Sequence, residues 1–141
     1  MPIIGLDVGE KRIGVARSDE LNFMAHAAGF IERTSDAVTI QKIKELVADG
    51  QVNTIVVGLP ITLQGDIGKK AQEILSFAEY LRNRIHCPIV TWDERLTTAE
   101  AQKRLLEQDV SRAKRRKKID ALAAEIMLQS YLDYSRNKLE S

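Results

Sequence analysis

The segment Ile4-Gly5-Leu6-Asp7-Val8-Gly9-Glu10-Lys11-Arg12-Ile13-Gly14-Val15-Ala16 constrains the fold more than any other part of the chain. Ile3 to Val8 is mostly apolar rather than alternating, so it reads as a buried strand. That strand carries a carboxylate, Asp7. A bare anion between apolar neighbours is costly; an ionised Asp there calls for a cation, and a divalent metal is the natural one. Gly9 and Gly14 remove side chains where a backbone or a ligand comes close. Lys11 and Arg12 add positive charge at the same turn, which suits a phosphate. The pattern reads as metal plus phosphate on the first hairpin of a sheet. The plainer alternative is a tight hairpin whose Asp only caps the turn.

The remaining elements follow from hydrophobic period and punctuation. Arg12 to Ser18 and Ala25 to Glu32 read as two further strands, joined by short connections as an antiparallel meander. Thr34 or Ser35 caps a helix running to Ala48, with Ile43, Leu46 and Val47 on one face and Gly50 as its C-terminal cap. Asn53 to Gly58 is a buried strand ended by Leu59-Pro60. Lys69 to Arg84 is a helix with a stripe of Ala71, Ile74, Leu75, Ala78 and Leu81, and Pro88 to Trp92 is another strand. Thr97-x-x-Glu100 is a capping box opening a short helix to about Gln108. Lys118 to Ser135 is a last helix whose stripe of Ile119, Leu122, Ala123, Ile126 and Met127 is widened by Ala121, Ala124 and Leu128. The order is βββαβαβαα. Crossover helices between the later strands imply parallel pairing. The expected fold is α/β: a mixed five-stranded sheet, three antiparallel strands then parallel ones, with helices on both faces. Residues 1–141 are expected to form a single domain.

In such sheets ligands bind outside the carboxyl ends of the strands. Asp7 lies near the end of the first strand, and Asp93-Glu94-Arg95 follows the strand ending at Trp92. One of Asp93 and Glu94 can serve helix capping; both doing so is the weaker reading. Asp120 sits beside the buried stripe of the last helix, where the dipole of the helix N-terminus alone would tolerate it. Asp7, Glu94 and Asp120 can converge. Carboxylates hold Mg²⁺ with several waters and leave room for phosphates. Two such ions, about 3.5–4 Å apart, stabilise the attacking water and the leaving oxygen of a phosphodiester. Lys11, Arg12 and Arg95 can then neutralise phosphates.

Four blocks resemble the YqgF/RuvX family, a compact RNase H-like group described as Holliday-junction resolvases and as pre-16S rRNA nucleases. They are the Leu6–Ala16 segment, Val57-Gly58-Leu59-Pro60, Trp92-Asp93-Glu94-Arg95-Leu96-Thr97-Thr98-Ala99-Glu100-Ala101, and Ile119-Asp120-Ala121-Leu122-Ala123-Ala124-Glu125-Ile126-Met127-Leu128-Gln129. They occur in the family's order and span nearly the whole chain. The resemblance implies Asp7, Glu94 and Asp120 as the catalytic, metal-binding triad. It assigns Asp93 and Gly9 a supporting place and implies Mg²⁺ or Mn²⁺ as two ions. It also implies a basic loop before the last helix. One stretch departs from the family: Ile61-Thr62-Leu63-Gln64-Gly65 replaces a loop that usually carries an Asn and then an acidic residue or Asn before Gly.

Charge supports a nucleic-acid partner. The formal net charge is +1. Arg112, Lys114, Arg115, Arg116, Lys117 and Lys118 are clustered, so the rest of the chain is net acidic; an acidic body with one basic arm reads as a nucleic-acid footprint, with a solvated loop that only keeps the protein soluble as the plainer alternative. Lys11, Arg12 and Arg95 join this set. Cys87 is alone, which excludes a disulfide framework or a Cys-based zinc site and fits a reducing cytoplasm. The first residues lack a signal-peptide apolar core, and no run approaches the roughly 18–20 apolar residues of a membrane helix. The reading is a nuclease for structured RNA, a preference that the resemblance carries, with branched DNA as the alternative and a monomer or weak homodimer as the assembly. Asp7-x-Gly9 also resembles the phosphate loop of actin-like ATPases and sugar kinases, but those clamp nucleotide between two such domains. A non-catalytic RNA-binding module would want exposed aromatics for stacking, and aromatics are only 5% of the chain.

Overall fold

A computed structural model describes residues 2–61, 64–94 and 112–140; in the last stretch, side chains are described for 121–137. The strands are β1 (Ile3–Val8), β2 (Arg12–Ser18), β3 (Ala25–Glu32), β4 (Thr54–Leu59) and β5 (Ile89–Asp93). The helices are α1 (Asp36–Gly50), α2 (Lys69–Arg82) and α3 (Arg112–Glu140). The sheet order is β3-β2-β1-β4-β5. β1, β2 and β3 pair antiparallel, and β4 and β5 join in parallel. This is the expected mixed sheet. The expected helix from Thr97 to Gln108 lies outside the described residues.

Alternation along the strands divides the core in two. Ile4, Leu6, Val8, Ile13, Val15, Ile55 and Val57 face α1 and α2, where they meet Ile40, Ile43, Ile74, Phe77 and Leu81. Ala16, Ala25, Val56 and Trp92 face α3 and meet Ala124, Met127, Leu128 and Leu132. Helices therefore cover both faces. On the α3 side the sheet offers small residues, so the helix lies close. A Cβ on Gly5 would stand 2.9 Å from Leu128 Cβ and 3.3 Å from Met127 Cε.

That close approach fixes which side of α3 is buried. The buried residues are Ala121, Ala124, Ile126, Met127, Leu128 and Leu132, whereas Leu122 and Ala123 are half-buried. Ile126 and Met127 are buried as expected, and the stripe is turned toward Ala121, Ala124 and Leu128 and away from Leu122 and Ala123. The α3 helix also starts at Arg112 and ends at Glu140. The expected basic loop is instead helical backbone, since Arg, Lys and Ala are strong helix formers and no Gly or Pro interrupts them.

Two other expectations are corrected. Ser35 caps α1 by accepting from Val38 N, but the left-handed C-cap is Gln51 at φ 51°, and Gly50 belongs to the helix. The Gly50 carbonyl accepts from Arg17 Nη2 at 3.1 Å, and the end of the Arg17 side chain lies over the space a Cβ would take. The α2 helix ends at Arg82, where the Asn83 N–H caps it, and Phe77 is buried on its stripe while Leu75 is only partly so.

Gly5→Ala should destabilise the protein by about 1–3 kcal/mol through overpacking against Leu128. Leu128→Ala alone should cost about 2–5 kcal/mol through the cavity it leaves. Urea unfolding should give the double variant no relief below the sum of the two, because Ala at 128 keeps the Cβ that the new methyl meets.

Candidate active site

The carboxyl end of the sheet is built around a row with few side chains. Asp7 pairs with Gly14 across β1 and β2. On the other side, Leu6 pairs with Val57 of β4, so Gly58 is the next residue along, and Gly58 in turn pairs with Trp92 of β5. Val56 and Trp92 face α3. By alternation, so do Gly14, Asp7 and Gly58. Asp7 is half-buried between two glycines.

Glu94, one residue past β5, fills the space above Gly58. A Cβ on Gly58 would stand 2.5 Å from Glu94 Oε1 and 3.3 Å from both Glu94 Cδ and Met127 Cγ. The Glu94 carboxyl reaches Asp7 and shares a hydrogen bond with it. Asp93 pairs with Leu59, whose side chain belongs to the α1/α2 core, so alternation turns Asp93 to the opposite face. Geometry thus separates the two neighbouring acids: Glu94 meets Asp7 and Asp93 does not lie in that row.

The pair is electrostatically tense. Burial, then the charge of Asp7 and the hydrogen bond to it, push the Glu94 pKa from 4.5 up to about 7; Asp93 adds to the rise and Lys70 opposes it. Among the described residues no third His, Cys, Asp or Glu completes a metal-binding group with them. The donor set fits a divalent cation: two hard oxygen donors in contact, half-buried, whose mutual repulsion a dication relieves.

The α3 helix carries Asp120 toward this end. Gln129 Oε1 accepts from Ala25 N at 2.8 Å and its Nε2 donates to Phe23 O at 2.9 Å, at the start of β3. Ser18 pairs with Ala25 and its Oγ accepts from Ile3 N at 2.7 Å, so Gln129 marks the starting end of β1. Ala124 lies beside Gly5, further along β1. The helix therefore runs antiparallel to β1, and Asp120, one turn before Ala124, sits in the backbone toward Asp7. Its side chain lies outside the described residues, as do those of Arg112, Lys114, Arg115, Arg116, Lys117 and Lys118, whose backbone forms the first turns of α3. Arg95, Thr62 and Leu63 also lie outside; Gln64 is exposed.

The first hairpin is held by backbone. Gly9 N donates to Arg12 O at 2.9 Å, and a Cβ on Gly9 would stand 2.8 Å from that oxygen. Lys11 is exposed, and its carbonyl accepts from Arg33 N at 2.8 Å. The Arg12 guanidinium lies 5.4 Å from the ring centroid of Phe30, which pairs with Gly14 on the far side from Asp7. Two contributors escape a reading of the sequence for charged motifs. Gly58 gives a signal, a glycine interrupting a β-branched run just before Leu-Pro. Lys70 gives none, since a lysine at a helix start is ordinary.

A family model described as "RuvX: Holliday junction resolvase" matches residues 1–134. The chain belongs to the RuvX family. Two curated relatives named "Putative pre-16S rRNA nuclease" are each 46% identical to it. The one from Thermoanaerobacter pseudethanolicus aligns over 98% of this chain and 100% of its own length. The one from Clostridium acetobutylicum aligns over 94% and 98%. Among solved structures, Thermus thermophilus RuvC in complex with a Holliday junction substrate has a TM-score of 0.59 at 14% identity, covering 97% of this chain and 96% of that one. The fowlpox virus resolvase with Holliday junction DNA has a TM-score of 0.53 at 13% identity, covering 96% and 99%. These likenesses establish the RNase H-like fold; the RuvX match makes the chain a member of a nuclease family.

The raised Glu94 pKa sets a pH dependence in metal-free solution. Below pH 4.5 the folded and unfolded chains both hold the proton, and the site costs nothing. Between about 4.5 and 7 the unfolded chain releases a proton that the folded one keeps, so stability falls as pH rises, and the deficit persists above 7. Glu94→Gln should therefore be more stable than wild type in chelator at pH 8, by about 1–2 kcal/mol once partial exposure is allowed for. The difference should vanish near pH 4, as thermal melts across that range would read.

Proposed function

We propose that this chain is a divalent-metal-dependent endonuclease that processes the 16S rRNA precursor, working in the cytoplasm as a single domain. The observation that carries the reading is the Asp7–Glu94 contact at the carboxyl end of the strands. The names of its relatives favour RNA. Asp7, Glu94 and Asp120 are the residues that would hold Mg²⁺ or Mn²⁺, as two ions. Bound there, the cations supply charge stabilisation to the attacking water and the leaving oxygen of a phosphodiester.

The chain's own residues do the rest. Asp7 and Glu94 supply acceptor oxygens on a rigid sheet edge, and Gly14 and Gly58 keep side chains out of the space between them. Asp93 contributes charge near Glu94 without joining the row. Gly9 closes the turn that bears Lys11 and Arg12, and these with Arg95 would meet the phosphates of the substrate. Arg112, Lys114, Arg115, Arg116, Lys117 and Lys118 form a basic arm leading along α3 to Asp120. Burial pushes the Cys87 thiol up, which makes it a poor nucleophile at neutral pH. No described helix is long and apolar enough to cross a membrane.

Asp7→Asn should abolish cleavage while leaving the metal-free protein as stable as wild type or more so, because it removes a half-buried like charge. Glu94→Gln should be equally inactive, and Asp93→Asn should retain turnover. The assay compares a 16S precursor RNA with a four-way DNA junction in Mg²⁺ and in Mn²⁺. Preferential cleavage of the junction would transfer the reading to a DNA resolvase; normal turnover by Asp7→Asn would overturn the metal triad.

The basic arm should act through binding. Each phosphate contact on a single strand contributes a slope of about −0.7 to the dependence of log affinity on log salt. Replacing Lys114, Arg115, Arg116 and Lys117 with Gln should flatten that slope by about two to three units if most of them touch phosphate. Turnover at saturating RNA should fall much less. Titrations of a labelled RNA at several salt concentrations measure both.

A further inference from the structure

At the same end of the sheet, on its α2 side, lies a cleft of about 190 Å³ lined by Gly9, Glu10, Arg33, Lys70, Glu73 and Phe77. Arg33 is half-buried just past β3. Its Nη1 donates to the Gly9 carbonyl at 2.8 Å, and its guanidinium carbon lies 5.3 Å from the Phe77 ring centroid. Both partners are neutral. Among the described residues no carboxylate lies within ion-pair distance of Arg33. A half-buried guanidinium with five donors and only neutral partners has unmet demand for an anion. Lys70, exposed in the first turn of α2, lines the same cleft and also lies near enough to Glu94 to lower its pKa. The cleft and the carboxylate pair are thus neighbours across the sheet edge, with the Gly9 turn between them.

We propose that this cleft receives a phosphate of the nucleic-acid strand that flanks the one cleaved, with Arg33 at its floor and Lys70 at its mouth. The inference rests on the nuclease reading and adds a direction to it: the strand crosses the sheet edge from the α3 face to the α2 face. Glu10 and Glu73 also line the cleft, beyond ion-pair distance of Arg33, and weaken its attraction for a phosphate. A free phosphate gains little from such a site. A phosphate tethered in a strand already held at Asp7 and Glu94 arrives at high effective concentration, so the modest attraction is enough. The site therefore selects a strand over a mononucleotide.

The test measures single-stranded RNA binding against salt in the Asp7→Asn background, which blocks cleavage, and steady-state cleavage in the otherwise wild-type chain. Lys70→Gln should weaken binding about two- to five-fold, the range of an exposed ion pair, and reduce the salt slope by about 0.7. Lys70→Arg should restore both, and Glu73→Gln should tighten binding. In steady-state cleavage, Lys70→Gln should raise KM and leave kcat nearly unchanged. Adenosine 5′-monophosphate at millimolar concentration should not compete. If RNA binds but the slope and affinity are unaltered in both Lys70→Gln and Glu73→Gln, the cleft is not on the substrate path and the nuclease reading stands. Competition by the mononucleotide would overturn the tethered mode. Failure of the Asp7→Asn protein and of wild type to bind RNA at all would remove the nuclease reading and this inference together.

Discussion

The contact between Asp7 and Glu94 is the interaction on which the arrangement at this end of the molecule depends. Two carboxylates can meet at the rim of an apolar sheet only where nothing else occupies the space. Gly14 and Gly58 clear that space on the two strands flanking β1. Met127, 3.3 Å from where a Gly58 Cβ would lie, closes it from above. The same economy of side chains extends down the sheet to Gly5, where α3 rests on Leu128. The close seating of α3 and the meeting of the acids are therefore one structural fact seen at two levels of the sheet.

How far the sequence discloses this differs from residue to residue. Asp7 is legible because a charge inside an apolar strand has few explanations. The antiparallel and parallel pairing senses and the placement of acids at strand ends follow from period and crossover rules, whereas the seat of β4 beside β1 does not. The resemblance prefers Glu94 to Asp93, but local patterning separates them only when the end of β5 is known, because one residue of register exchanges their faces. On α3 the hydrophobic period marks Ile126 and Met127 as buried but does not rank Ala124 and Leu128 above Leu122 and Ala123; the close approach to Gly5 does that. Arg33 and Lys70 are illegible, since nothing local to either announces that β3 and α2 bring them to one cleft.

The basic segment changes character with its conformation. As a loop it would be a diffuse cloud of charge. As the opening turns of α3 it is continuous with a helix anchored on the sheet through Ala124, Leu128 and Leu132, so its cations are carried at fixed intervals along the same rod that bears Asp120. That trades adaptability for a defined approach.

Trp92 has a further consequence. It is the chain's single tryptophan, buried, paired with Gly58 and two residues before Glu94. Its ring sits edge-on to Tyr131 at 5.5 Å and tilted against Tyr134 at 5.1 Å, and its Nε1 finds no hydrogen-bond partner among the described residues. The indole is thus a lone, built-in fluorophore in an apolar cage beside the carboxylates. Its emission will follow events at that site without any label, and energy transfer from the two tyrosines of α3 will report whether the helix keeps its seat while they occur.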